Sequence, residues 1–417
     1  MAEQGPAIAD HTPIYALLGA NGISQVGNTV LIVAVPWFVL ETTGSAARTG
    51  LTAAAIGVGA VVPVVLGGPL VDRLGFKRAS VLTDLASGAT VAAIPLLYLA
   101  GVLAFWQLLV LVFLLSSLNT NGDSARFSLI PALARRATMP TERANSADRA
   151  IARLGPVVGA PLAGVLIALV GASNVLFVDA TTFAVSAALV ALGVPSAASA
   201  SAEAEAEGAR GYLSELLEGL RFVRTNALIL SMILVATVTN FLDVPLAQVI
   251  LPVYANTIYG SAASLGAMLG AFGGGAFAGT LLFGAVGHRL PRRLTFLLCF
   301  VTAPLIVFGV LAATPLLAVA VAAVALGGLI AGPINPLYAT VIQERTPPQM
   351  LGRVFGTLNA LAQAGIPLGA ALAGFVVEGV GLVPTILGMG AIYLAVTVGM
   401  FFNPALRQMD PEMDTGK

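Results

Sequence analysis

Four acids and one arginine fall inside stretches that are otherwise apolar: Asp84, Asp123, Asp179, Asp243 and Arg126. A charged group in hydrocarbon costs several kcal/mol unless it is paired, so such residues mark proton relays, gates or helix contacts. Asp243 is the most informative. It lies about halfway along its apolar run, three residues after Asn240 and two before Pro245. A proline there frees a backbone carbonyl and bends the helix, which is tolerated beside a cavity or a neighbouring helix. An acid at that depth is suited to take up and release a proton; the alternative is a structural Asp held by Asn240 or by backbone N–H groups. Asp123 is the second candidate for proton coupling. Asn119, Asp123 and Arg126 recur at i, i+4 and i+7, so they share a helix face, and Asp123 can pair with Arg126. Near the inner end of their helix, the pair also reads as a gate. Asp84 and Asp179 read as packing or gate partners.

Neutral polar residues form stripes of the same kind. Asn21, Gln25 and Asn28 stand at i, i+4 and i+7 on the first apolar run, facing either a cavity or another helix. Arg149 and Arg153 on the fifth run, and Asn359 and Gln363 on the eleventh, each keep a spacing of four. Arg153 is either an anion contact or an inner-surface anchor. With Asn119, Asn240, Asn335 and Tyr338, these residues outline a candidate substrate path.

The elements that must position them are membrane helices. Of 417 residues, 58% are hydrophobic and only 10% charged, against roughly 25% charged in a soluble domain. Twenty basic residues balance twenty acidic ones, which argues against a nucleic-acid partner. The lone Cys299 and the two histidines, His11 and His288, make neither a disulfide nor a metal cage. At about 20 apolar residues per span, helices are predicted near 14–40, 49–71, 79–100, 104–130, 149–170, 173–194, 226–256, 262–287, 293–312, 316–342, 352–377 and 381–403. With a cytoplasmic amino terminus, nearly every cation falls at the inner surface and only Arg48 is left outside. Both termini are then cytoplasmic and the protein is multi-pass. Glu41 and Glu378 fall at the outer surface as solvated groups, and Trp37 and Trp106 lie at interface belts.

Residues 195–210 are small, acidic and low in complexity, as in a flexible linker, and an amphipathic helix follows from Tyr212. The chain therefore divides into 1–194, a 195–225 linker region and 226–417. The two halves repeat. A shift of 210 residues lays Arg143 on Arg353, Gly155 on Gly365, and Gly159-Ala160-Pro161-Leu162-Ala163-Gly164 on Gly369-Ala370-Ala371-Leu372-Ala373-Gly374. Parallel repeats of this kind put a substrate path between them. The glycine-rich charged turn Gly68-x-x-x-Asp72-Arg73-x-Gly75-x-Lys77-Arg78 recurs imperfectly around His288.

That turn, its position between the second and third spans and its degenerate copy resemble the signature loop of the major facilitator superfamily. The resemblance covers essentially the whole chain and implies twelve helices in two pseudosymmetric six-helix bundles. Gly155-x-x-x-Gly159-Ala160-Pro161-x-x-Gly164 resembles the drug–proton antiporter motif, with Ala160 where Gly is usual. Ala125-Arg126, Leu129-Ile130-Pro131 and Ala144-Asn145 look closest to the branch of macrolide and tetracycline efflux pumps and an enterobactin exporter. The resemblance implies a gate in which Asp72 meets the start of the eleventh span near Arg353, while Arg73 and Lys77 hold the inner end of the fourth. Related transporters often carry an acid near Asn28, so its absence moves a proton site elsewhere.

Together these features predict a secondary transporter of the plasma membrane (the inner membrane in a bacterium) that exports small amphipathic or hydrophobic compounds in exchange for protons. Drugs or siderophore-like metabolites fit, and alternating access is the expected mechanism. A lipid or lysolipid flippase and a facilitator or importer of a small polar solute are the alternatives. No enzyme chemistry, metal or cofactor is expected, and no phosphate-binding Gly-x-x-x-x-Gly-Lys-Ser/Thr loop is present for ATP. The expected partners are substrate, protons and membrane lipids, with a monomeric protein.

Overall fold

The computed structural model describes residues 10–66, 74–196 and 212–410. Twelve helices among them are long and apolar enough to cross a membrane. The first six are α1 (Thr12–Thr43), α2 (Ala46–Leu66), α3 (Phe76–Leu99), α4 (Phe105–Arg136), α5 (Thr141–Val170) and α6 (Ala172–Gly193). A shorter helix, α7 (Tyr212–Thr225), precedes α8 (Ala227–Tyr259), α9 (Ala262–Arg289), α10 (Arg292–Ala313), α11 (Leu317–Arg345), α12 (Pro348–Val380) and α13 (Leu382–Phe402). The described residues contain no strand. In lipid only helices and closed barrels satisfy every backbone group, and these apolar runs take the helical solution. The expected linker from residue 197 onward lies outside the described residues, as do Gly68, Asp72 and Arg73 of the charged turn.

Helix ends differ from the predicted spans where apolarity stops but helical bonding continues. The fourth helix runs to Arg136 and the fifth starts at Thr141, eight residues before its predicted start at 149. Asp148, which apolarity alone left in a loop, is therefore a helix residue. The repeat shows in the turns: Gly171 and Gly381, related by the shift of 210, both adopt left-handed backbone (φ 83° and 96°) that a side chain disfavours.

Contacts group the described residues into two compact units. One comprises Met1–Ile32, Val58–Gly159 and Val170–Ala209; the other comprises Val33–Gly57, Ala160–Leu169 and Arg210–Lys417. These units cut across the six-helix halves, and glycine explains why. In the second unit, a Cβ on Gly50 of α2 would meet the Ala370 carbonyl at 2.5 Å and the Gly374 Cα at 2.9 Å. A Cβ on Gly266 of α9 would meet the Ala160 carbonyl at 2.6 Å and the Gly164 Cα at 2.9 Å. Ala160/Gly164 and Ala370/Gly374 are the same repeat positions. Backbone packs directly on backbone at both crossings, as small residues allow between membrane helices. Pro161 of the same motif packs on Gly270, while Gly155 and Gly159 sit in the first unit against Gln25 and Thr29 of α1. The glycine motif thus packs on two neighbouring helices, α1 and α9.

The end of the second unit that holds these crossings carries a further contact. Glu378 on α12 accepts hydrogen bonds from the Ser45 hydroxyl (2.6 Å) and the Ala47 N–H (2.9 Å), covering free donors at the start of α2. It is a helix cap rather than a simply solvated group. Trp37 is buried rather than at an interface belt, and its indole N–H donates at 2.6 Å to Glu41, which is exposed as expected.

Gly374→Val places two methyl groups where only backbone fits and is expected to destabilise by about 1–3 kcal/mol. Gly399→Ala, where a methyl meets open space, is the control that keeps its midpoint. Thermal unfolding in detergent compares them.

Candidate functional site

In the first unit the polar residues converge on Arg126. Its Nη1 donates to Asp84 Oδ1 at 2.7 Å, and its Nη2 to Asp123 Oδ1 at 2.6 Å and to Ser24 Oγ at 3.2 Å. Ser186 Oγ donates to the other oxygen of Asp84 at 2.7 Å. Four helices, α1, α3, α4 and α6, meet at one guanidinium. Gly122, one turn before Arg126, makes the approach possible: a Cβ there would lie 2.8 Å from Thr83 Oγ1 and 3.6 Å from Asp84 Oδ1. The expected pairing of Asp123 with Arg126 is present, but Arg126 is a buried hub rather than an end-of-helix gate.

The two carboxylates are not equivalent. Arg126 and Asp84 are 1% and 2% exposed, whereas Asp123 is 42% exposed. One guanidinium faces two acids, so the cluster carries one negative charge more than it can pair when both are ionised. Asp84, buried and bonded on both oxygens, is the fixed counter-ion. Asp123 is more open and is bonded through one oxygen only.

The other sequence-predicted residues of this unit fall around the hub. Asn119 Nδ2 donates to Asn28 Oδ1 at 2.8 Å, so two of the expected cavity residues satisfy one another. Asn21 is buried and donates to Asp148 Oδ1 at 2.8 Å. Gln25 is half-buried beside Gly155. Arg153 is exposed, and Arg149 stacks its guanidinium 5.5 Å from the centre of the Phe127 ring. Lys77 and Arg78 begin α3 behind Gly75, whose left-handed φ of 78° opens the helix.

The second unit places Asp243 on α8 just before a distortion. Pro245 ends regular α-helix, and two wider π-type turns follow at Leu246–Ile250 and Ala255–Tyr259. Asp243 has accessible surface, and its Oδ2 accepts from the Tyr393 hydroxyl at 3.1 Å. An ionisable group on a membrane helix avoids lipid, so this exposed face implies access to water. Asn240 does not hold Asp243. Its amide donates to the Ala362 carbonyl at 3.2 Å, and Thr237 donates to the Leu361 carbonyl at 3.2 Å. Those carbonyls lie where α12 breaks between Ala364 and Ile366, ahead of Pro367. Side chains of α8 thereby replace the backbone donors that the break removes.

Tyr338, an expected cavity residue, is 8% exposed. It packs edge-on against Phe296 and Phe300, with ring centres 5.2 and 6.5 Å away, and donates its hydroxyl to the Met232 carbonyl. In the structure it is a core residue. Asn335, Asn359 and Gln363 are exposed. Arg353 pairs with Glu218 of α7, where Gly219 lies against the Arg353 carbonyl. With Asp72 outside the described residues, the Asp72–Arg353 approach stays an expectation. Sequence reasoning missed Asp148, Tyr393, Ser24 and Ser186. Only the pairing rule for intramembrane charges could have linked Asp84 to Arg126 in advance.

Removing one partner from a buried ion pair leaves the other uncompensated. Arg126→Met is expected to cost about 3–5 kcal/mol, and the double change Asp84→Asn with Arg126→Met to recover part of it. Thermal unfolding of the purified variants supplies the double-mutant cycle.

Comparison with known proteins adds the family. The model of the transmembrane secretion effector family, a major facilitator group, matches residues 11–416. The chain is 33% identical over 407 residues to the multidrug efflux pump Tap of Mycobacterium tuberculosis, covering 96% of each. It is 28% identical over 368 residues to the enterobactin exporter EntS of Escherichia coli, covering 87% of this chain and 85% of that one. Among solved structures, the nucleoside transporter NupG superposes with a TM-score of 0.74 at 14% identity, over 95% of this chain and 99% of that one. A bacterial homologue of the human lysosomal transporter Spinster, in an inward-facing unoccupied conformation, gives 0.73 at 14% identity, over 96% and 98%. A match over nearly the whole chain, on a twelve-helix fold with charged residues paired inside it, has one reading: this chain belongs to the transmembrane secretion effector family of the major facilitator superfamily and is a multi-pass membrane transporter.

Proposed function

We propose that the protein is a proton-coupled antiporter that exports small amphipathic or hydrophobic compounds by alternating access. The observation that carries this reading is one accessible carboxylate per unit inside otherwise apolar helices: Asp123 beside Arg126, and Asp243 beside Tyr393. Each can bind a proton without dismantling its surroundings. Asp123 shares a cation already neutralised by Asp84, and Asp243 has a hydroxyl that can donate to the anion or accept from the acid. Export, and an amphipathic substrate, are supported by relatives named as a multidrug efflux pump and an enterobactin exporter. Asn335, Asn359, Gln363 and Arg153, all exposed, are the polar residues left to meet substrate.

The remaining parts of the proposal follow from the sequence. Residues 1–194 and 226–417 act as the two rocking halves, joined by the 195–225 linker region. The cation distribution supports a plasma-membrane protein with both termini cytoplasmic. Asp72 and Arg73, with Gly68, Gly75, Lys77, Arg78 and Arg353, form the inner gate. The protein works as a monomer among lipids, with protons and substrate as its partners.

The test uses inverted membrane vesicles acidified inside, with ethidium as an apolar cationic probe. Gradient-driven ethidium uptake is expected, abolished by a proton ionophore. Asp243→Asn and Asp123→Asn should each lower it about tenfold or more. Uptake that survives collapse of the gradient overturns proton coupling, and full activity in either variant removes that residue from it.

A further inference from the structure

A third intramembrane acid, Asp179 on α6, is used by neither proposed proton site. Its side chain is 1% exposed. Thr182 shares its hydroxyl proton between the Asp179 backbone carbonyl at 2.8 Å and Oδ1 at 3.1 Å. The buried Oδ2 has no hydrogen-bond partner, and among the described residues no cation is within ion-pair distance of the carboxyl.

The packing around it explains how an acid came to fit. On α1 the facing residue is Gly27, where a Cβ would lie 2.5 Å from Asp179 Oδ1 and 2.6 Å from Thr182 Oγ1. The carboxyl of α6 fills the place a side chain on α1 would take. Elsewhere on α1 the ionisable groups are Tyr15 and Glu41, twelve and fourteen residues from Gly27, so roughly 18–21 Å along the helix. From the other side α3 approaches at Gly88, 3.3 Å from the Ala180 carbonyl and Phe183 Cβ by the same measure. The acid of α3, Asp84, is bound by Arg126 and by Ser186, and Ser186 lies two turns, about 10 Å, along α6 from Asp179. Lys77 and Arg78 stand at the start of α3, seven and six residues before Asp84. On α4, Arg126 and Asp123 bond each other. No other ionisable residue lies on α6.

An ionised Asp179 would be a buried anion with half of one hydroxyl's donation and no counter-charge. Such a charge costs several kcal/mol, and loss of the charge by protonation removes most of that cost. We infer that Asp179 is a proton-binding site of the first unit, holding its proton in this conformation and releasing it to water when α1 and α6 part at Gly27. The inference rests on the proton-exchange reading, and it adds a site that opens only with helix movement, unlike the accessible Asp123.

Infrared spectroscopy of the full-length protein in liposomes tests it, comparing H2O with D2O. A carbonyl band of a neutral carboxyl is expected, absent from Asp179→Asn and shifted in Thr182→Val, which keeps the acid and removes its donor. In the vesicle assay, Asp179→Asn should lower the ratio of gradient-driven to downhill ethidium flux about tenfold. A band indifferent to both substitutions, or an unchanged flux ratio, overturns the inference. Should Asp179→Asn fail to insert, the Thr182→Val band and its flux ratio decide. If the wild-type protein moves no ethidium, the exchange reading fails, while the infrared band still reports whether Asp179 holds a proton.

Discussion

A guanidinium that is 1% exposed must be neutralised where it lies, and Arg126 makes the first unit answer to that need. Asp84 supplies the charge, Ser24 accepts from the guanidinium and Ser186 donates to Asp84, so four helices contribute to one polar cluster. Burying the cluster is costly in itself, since desolvation offsets most of the attraction. Its value is in position. It fixes which faces of α1, α3, α4 and α6 turn inward, and it leaves Asp123 bonded through one oxygen and partly open.

The second unit solves the same problem without a cation. Asp243 has a tyrosine partner, and the irregular backbone around it is repaired by side chains: Thr237 and Asn240 bond the carbonyls freed where α12 breaks. Irregular helix in a membrane survives only where such partners exist. The first π-type turn of α8 begins three residues after the acid, and α12 breaks beside the same stretch of α8.

Most of the fold was legible in the sequence because hydrophobic length counts spans directly, and the 210-residue repeat and charged turn identify the superfamily. Sites were less so. Asp123 and Arg126 pair as their spacing on one helix suggests, since i, i+3 contacts are local. Asp84 with Arg126, Asn21 with Asp148, and Tyr393 with Asp243 join residues 42, 127 and 150 positions apart, and nothing local encodes them. Asp148 was hidden by a boundary error of a simple kind: an inner helix end rich in Arg, Glu and Asn stays helical while ceasing to be apolar. Tyr338 misled differently. A tyrosine on a small-residue helix can face either a cavity or a core, and two phenylalanines on α10 decide it.

The repeat separates backbone-contact positions from polar ones. Positions that coincide after the shift of 210, Ala160 with Ala370, Gly164 with Gly374 and Gly171 with Gly381, are backbone-contact and turn positions. Apart from Arg143 and Arg353, the polar and charged positions of the candidate sites do not coincide in residue type. Arg149 and Arg153 stand where Asn359 and Gln363 do, and the acids Asp123 and Asp243 lie on helices that the repeat does not equate. The two related halves use the same small-residue positions for backbone contact because such contact needs only shape. A buried polar or charged group needs its own partner at its own depth, so those residues are free to differ. The pseudosymmetry therefore resides in the backbone-contact surfaces, while the ionisable groups differ from one half to the other.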